Sequence, residues 1–148
     1  MQRRSPGLNR MTSHDERSAR IQFSERYATP SAAVSHDIER RVIGAVWGVN
    51  GYTTLEQADE IGRLLHLGPG RRLLDVGTGR GWPGLHLAQT TGCTVVGTDM
   101  PIEGLEVAAQ RARAEGVEDC ATVVAAAGAH QPFRAGSFDA VVLTDVLC

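Results

Sequence analysis

The sequence predicts an α/β protein built on a parallel sheet, and three observations predict it. A short apolar strand, Arg72 to Val76, runs directly into the glycine-rich turn Gly77-Thr78-Gly79-Arg80-Gly81. An apolar helix pattern follows, with Leu85, Leu87 and Ala88, closed by Gly92. A second strand, Thr94 to Thr98, then ends at Asp99. Strand, helix and strand of these lengths imply a right-handed crossover between parallel strands.

Composition sets the outer limits. With 148 residues, 42% hydrophobic and 22% charged, the chain is sized for one ordinary domain with a core. Its formal net charge of −2 gives no general attraction to nucleic acid or to acidic membranes. All 15 basic residues are arginines, which excludes a P-loop lysine, a Schiff base and a Tyr-x-x-x-Lys pair. No apolar run approaches the length of a membrane-spanning helix. Cys93, Cys120 and Cys148 form no CxxC pair, and an odd count of scattered thiols reads as reduced cysteine in a cytoplasm. The five histidines form no HxH or HxxxH spacing, so no metal site is expected.

Taken in chain order, residues 1–30 open with five arginines in the first 20 positions and little apolar content, which predicts a mostly disordered leader. Met11 is an alternative start within it. Residues 31–67 read as a helical pair forming a lid. Val34, Ile38, Val42 and Val46 recur every four residues and predict one apolar face, stopped by Gly48, Asn50 and Gly51. Thr54 with Gln57, or Thr53 with Glu56, predicts a capping box for a second helix whose apolar positions are Leu55, Ala58, Ile61, Leu64 and Leu65. Gly68-Pro69-Gly70 turns the chain into the sheet unit, residues 68–148. Pro83 suits the first turn of the helix after the glycines, where its missing N–H has no partner to lose.

Glycines at the end of a strand let backbone approach a ligand closely, and an acid at the tip of the next strand can accept hydrogen bonds from ribose hydroxyls. Asp99 lies 20 residues past Gly79, the spacing this arrangement needs. A cofactor containing a nucleoside is the leading inference. Two registers compete. Gly79-x-Gly81-x-x-Gly84 fits the dinucleotide fingerprint GxGxxG and points to a nicotinamide-dependent oxidoreductase. Asp75-x-Gly77-x-Gly79-x-Gly81 fits a methyl-donor turn and gives Asp75 a task, organising the turn and the methionine ammonium. The second is preferred, because Trp82 and Pro83 crowd a place where a pyrophosphate wants bare N–H groups.

From Arg71 to Cys148 the chain resembles the class I S-adenosylmethionine-dependent methyltransferases. The resemblance rests on LLDVGTGRGWPGLHLA, VVGTDM and PFRAGSFDAVVLTDVLC in that order. WGVNGYTT looks like the lid of members that act on small molecules. The resemblance implies a Rossmann-like sheet, here incomplete, with strands in the order 3-2-1-4. It implies S-adenosyl-L-methionine as cofactor, a small-molecule methyl acceptor, and neither nucleic acid nor membrane as partner. By position it sets Gly77, Thr78 and Gly79 under the methionine part, with Asp75 and Gly81 completing the turn. It also sets Asp99 at the ribose, Met100 on the adenine, and Thr144 along the donor through its backbone. The family often carries an acid after the third strand for the adenine amino group; here Ala127 stands at its place in Ala126-Ala127-Gly128-Ala129.

The resemblance also implies that the chain is a truncated member, stopping after the fourth strand of a seven-stranded sheet. Phe138 to Leu143 is then an apolar edge, expected to pair with a second copy, and an inactive partial domain that needs a partner chain is the alternative to an enzyme. No catalytic residue is assigned. His130 and Asp145 are the candidate bases, each also readable as a solvated loop residue. Tyr52 is either a ring near the sulfonium or a cover for the sheet, and Trp47 reads as core.

Overall fold

The computed structural model describes residues 12–28, 33–48 and 51–146. Four parallel strands, β1 (Arg72–Val76), β2 (Thr94–Asp99), β3 (Ala121–Ala125) and β4 (Ala140–Val142), form one sheet in the order β3-β2-β1-β4. This is the order that the family resemblance implies. Leu74 of β1 lies beside Val96 of β2 and Val141 of β4, and Val96 lies beside Thr122 of β3. Apolar strands of this kind form where helices cover the sheet.

Two helices supply the crossovers. Helix α4 (Gly84–Thr91) links β1 to β2 and buries Leu85, Leu87 and Ala88. Gly92 ends it in the left-handed conformation, φ 73°, as its place after the apolar run predicts. Helix α5 (Ile102–Ala114) links β2 to β3 and buries Leu105, Ala108 and Ala112, one stripe at helical spacing.

The N-terminal helices correct two expectations. Where the sequence predicts a disordered leader through residue 30, residues Thr12–Ala28 form a helix, α1. Residues 1–11, Met11 among them, and 29–32 lie outside the described residues. Tyr27, stacked on Phe23, presses on Gly104 of α5, where a Cβ would lie 3.1 Å from the Tyr27 ring.

Helix α2 (Ala33–Val42) ends earlier than Gly48, and its apolar stripe points outward. Ile38 and Val42 are 58% and 52% exposed, whereas Ile43 and Trp47 are buried. The cause is Gly44, whose φ of 92° breaks the helix, so the four-residue spacing has no hold on the residues beyond it. Trp47 is core, as expected. It lies 5.2 Å from the Trp82 ring, and the Arg111 guanidinium covers it at 4.6 Å. Helix α3 (Leu55–Leu64) starts at the Thr54–Gln57 capping box, one of the two predicted. Its Leu64 is exposed and its Ala58 fully buried.

One packing consequence is testable. A Cβ on Gly84 would meet an Asp75 carboxylate oxygen at 2.6 Å and Val95 at 3.1 Å, both in the interior. Overpacking of this kind costs about 1–3 kcal/mol. Gly84→Ala is therefore expected to lower the unfolding free energy measured in urea by that amount. An unchanged stability would show that α4 can slide away from β1 freely.

Candidate donor-binding turn

Because the strands are parallel, the chain leaves every one of them on the same side of the sheet. That edge gathers the turn after β1, Asp99 and Met100 after β2, the Ala126–Ala129 stretch after β3, and Thr144 and Asp145 after β4. The crevice outside the carboxyl ends of parallel strands is where open α/β sheets take their ligands.

The turn is held by backbone amides converging on β2. The N–H groups of Gly77 and Thr78 both donate to the Thr98 carbonyl, at 2.7 and 3.0 Å. Gly77 and Gly79 have φ of 77° and 53°, which a residue with a Cβ rarely adopts. Asp99 then ties the turn to its own strand. One carboxylate oxygen accepts from Gly79 N–H at 2.8 Å and the other from Met100 N–H at 2.8 Å. Burial pushes the Asp99 carboxyl above its ordinary pKa, against the pull of those two N–H groups.

Asp75 organises the turn from below. It is fully buried, and a single oxygen accepts from the Thr78 hydroxyl at 2.7 Å and the Gly84 N–H at 3.1 Å. Its other oxygen has no hydrogen-bond partner among the described residues. Burial pushes the carboxyl up to about 7, the Thr78 and Gly84 bonds oppose this, and the nearby Asp99 charge adds to it. Thr78 is buried too, with its side chain against Gly97. Gly81 closes onto Leu85 and Ala108, so its backbone is packed inward and not open to a pyrophosphate. The dinucleotide register is not favoured.

The remaining positions divide clearly. Met100 and Thr144 are half-buried at the edge. Asp145 is exposed, and its carboxylate accepts from the Thr53 N–H at 3.1 Å and hydroxyl at 2.8 Å, joining the end of β4 to the segment before α3. His130 is exposed on the turn after β3, its backbone N–H donating to the Ala127 carbonyl. Tyr52 is 79% exposed and does not cover the sheet. Val146 lies over Gly77, and the Tyr27 hydroxyl lies 2.7 Å from where a Gly79 Cβ would be.

Sequence reasoning passed over Tyr27 and Arg80. The Arg80 guanidinium reaches the carbonyls of Gly48, Arg26 and Tyr27. An arginine inside a glycine turn, where small residues are the rule, was the available signal. Trp82, read as an obstacle to phosphate, is buried and donates its indole N–H to the Thr53 carbonyl at 3.0 Å. Its ring lies 5.4 Å from His86, whose Nε2 is 2.7 Å from the Asp59 carboxylate.

Comparison with known proteins identifies the family and the fold. The chain is 39% identical over 83 residues to the methyltransferase GfsG of Streptomyces halstedii, covering 56% of this chain and 30% of that one. It is 31% identical over 119 residues to the 27-O-demethylrifamycin SV methyltransferase of Amycolatopsis mediterranei, covering 72% and 44%. The chain thus spans less than half the length of either relative. Among solved structures, an RNA methyltransferase from Salinibacter ruber in complex with S-adenosyl-L-homocysteine shares the fold, with a TM-score of 0.57 and 22% identity over 62% of this chain and 58% of that one. The family described as methyltransferase domain matches residues 73–148, more than half of the chain. With the β3-β2-β1-β4 sheet and the glycine turn at its carboxyl edge, that match makes this chain a member of the class I methyltransferases, whose methyl donor is S-adenosyl-L-methionine.

Proposed function

We propose that this protein transfers a methyl group from S-adenosyl-L-methionine to a small molecule, with the donor held on the turn after β1. The observation that carries the reading is the Asp99 carboxylate, which bridges Gly79 and Met100 with one bond to each oxygen. Each oxygen keeps a lone pair for a ribose hydroxyl, so the residue fits the nucleoside it is assigned to. Gly77, Thr78 and Gly79 lie under the methionine part, Met100 packs on the adenine, and Thr144 lines the donor through its backbone. Asp75 and Gly81 keep the turn in shape. Ala127 offers no acid to the adenine amino group, so adenine is recognised through backbone.

Once bound, the donor supplies an electrophilic methyl on a sulfonium. The task left to the protein is to align the acceptor and exclude water, and alignment alone accelerates a displacement greatly. A base is required only where the acceptor is a hydroxyl or an ammonium. A small-molecule acceptor is supported by the relative named for its action on 27-O-demethylrifamycin SV, and by a net charge of −2, which does not favour nucleic acid. The helices within residues 31–67 act as the lid. Among the described residues no helix is long and apolar enough to cross a membrane, and Cys93 and Cys120 are free thiols. The proposed setting is the cytoplasm.

The deciding experiment is calorimetric titration with S-adenosyl-L-homocysteine, with NAD as control. Micromolar binding of the former alone supports the reading, and binding of NAD alone overturns it. The β4 edge adds an expectation. Val141 and Leu143 are 51% and 48% exposed, and an open apolar edge invites strand pairing. The chain is expected to self-associate in sedimentation velocity as its concentration rises. A single monomer boundary throughout would refute that.

A further inference from the structure

We propose that Arg80 is a positioning residue: its guanidinium fastens both N-terminal helical segments over the donor turn, and retention of the donor depends on that fastening. The donor half of this inference rests on the function proposed above; the fastening itself does not.

Arg80 stands between Gly79 and Gly81, inside the turn. One terminal nitrogen donates to the Gly48 carbonyl at 3.2 Å, and the other to the Tyr27 carbonyl at 2.8 Å and the Arg26 carbonyl at 3.3 Å. The carbonyls of Arg26 and Tyr27 belong to the last turn of α1, where helix carbonyls have no partner within the helix and the helix dipole favours a cation. Gly48 lies in the segment that follows α2. A single planar fork thus ties two segments separated in sequence, which the point charge of an ammonium cannot match. The same guanidinium lies 5.5 Å from the centre of the Tyr27 ring, and that ring packs on Gly104 with its hydroxyl directed at Gly79. A shift of the turn therefore moves the fork, and release of the fork frees Tyr27 from above the turn.

Gly48 provides an independent check. A Cβ there would lie 2.6 Å from the Arg80 nitrogen that bonds its carbonyl, and the φ of 64° disfavours any side chain, so Gly48→Ala displaces the fork and its acceptor together while leaving Arg80 itself unchanged.

The test is hydrogen exchange by mass spectrometry on the full chain, wild type, Arg80→Ala, Arg80→Lys and Gly48→Ala, paired with titration by S-adenosyl-L-homocysteine. In Arg80→Ala the amides of α1 and of residues 44–48 are expected to exchange about tenfold faster, the scale of losing charge-assisted hydrogen bonds, while β1, β2 and β3 keep their protection. Affinity for the homocysteine product is expected to fall about tenfold, with Arg80→Lys recovering only part of it and Gly48→Ala behaving like Arg80→Ala. Unchanged exchange in α1 in Arg80→Ala overturns the fastening. Faster exchange with unchanged affinity overturns its link to the donor. If wild type binds no S-adenosyl-L-homocysteine, the donor reading fails, and the exchange contrast still decides the fastening.

Discussion

Asp99→Asn is expected to weaken binding of S-adenosyl-L-homocysteine at least about thirtyfold, near 2 kcal/mol, while leaving the sheet folded. The reason lies in where its two oxygens point. One accepts from Gly79 N–H and the other from Met100 N–H, both at 2.8 Å. An amide of the same shape has one oxygen and one NH2 group, so whichever way it turns, one backbone N–H meets a donor. If the Gly79 side loses its acceptor, the turn loosens under the methionine part. If the Met100 side loses it, the chain beside the adenine shifts. A carboxylate is therefore required twice over, before any bond to the ribose is counted. Titration calorimetry of the two proteins, with circular dichroism as the check on folding, measures the effect. Equal affinities would mean that the donor does not lie against Asp99.

How much of this was legible in the sequence depended on whether a local rule operated alone. The strands could be read because Leu73, Leu74, Val76, Val95 and Val142 are apolar strand residues, now buried in the sheet, and because glycines punctuate the crossovers, whereas their order came from the family resemblance. The capping box at Thr54, one of the two the sequence offered, and the helix end at Gly92 obey rules confined to a few residues, and both could be read. The failures lie where tertiary contacts override the local pattern. Ile38 and Val42 carry an apolar stripe that faces solvent, since Gly44 redirects the chain so that Ile43 and Trp47 turn inward instead. Helix α1 has too little apolar content to announce itself, and is held through Tyr27 and through carbonyls that Arg80 reaches across 53 positions of sequence. A bond to a backbone carbonyl leaves no trace in residue type. For the same reason the Asp99 spacing could be read, but its two backbone bonds could not.

Asp75 leads to the second large effect, on stability as a function of pH. Its carboxyl is raised from 3.8 to about 7, first by burial, and its second oxygen finds no hydrogen bond among the described residues to compensate. In the unfolded chain the group ionises near 3.8, so between that value and about 7 the folded state binds a proton that the unfolded state has released. This contribution to stability is complete below pH 3.8 and is lost as pH rises through about 7. Its ceiling is roughly 4 kcal/mol, at about 1.36 kcal/mol for each pH unit separating the two values. Asp75→Asn removes the titration yet keeps an oxygen for Thr78 and Gly84, since a single Asp75 oxygen accepts both bonds. The difference in unfolding free energy between variant and wild type is therefore expected to be smallest below pH 3.8, to grow in favour of the variant as pH rises from there, and to level off above about pH 7. Asp99, also raised, slopes the same way in both proteins, so its contribution drops out of that difference apart from its repulsion with an ionised Asp75. Urea unfolding at a series of pH values reads it directly. A flat difference would mean that Asp75 stays ionised in the folded protein, and a charge beneath the turn would then need a cation close by.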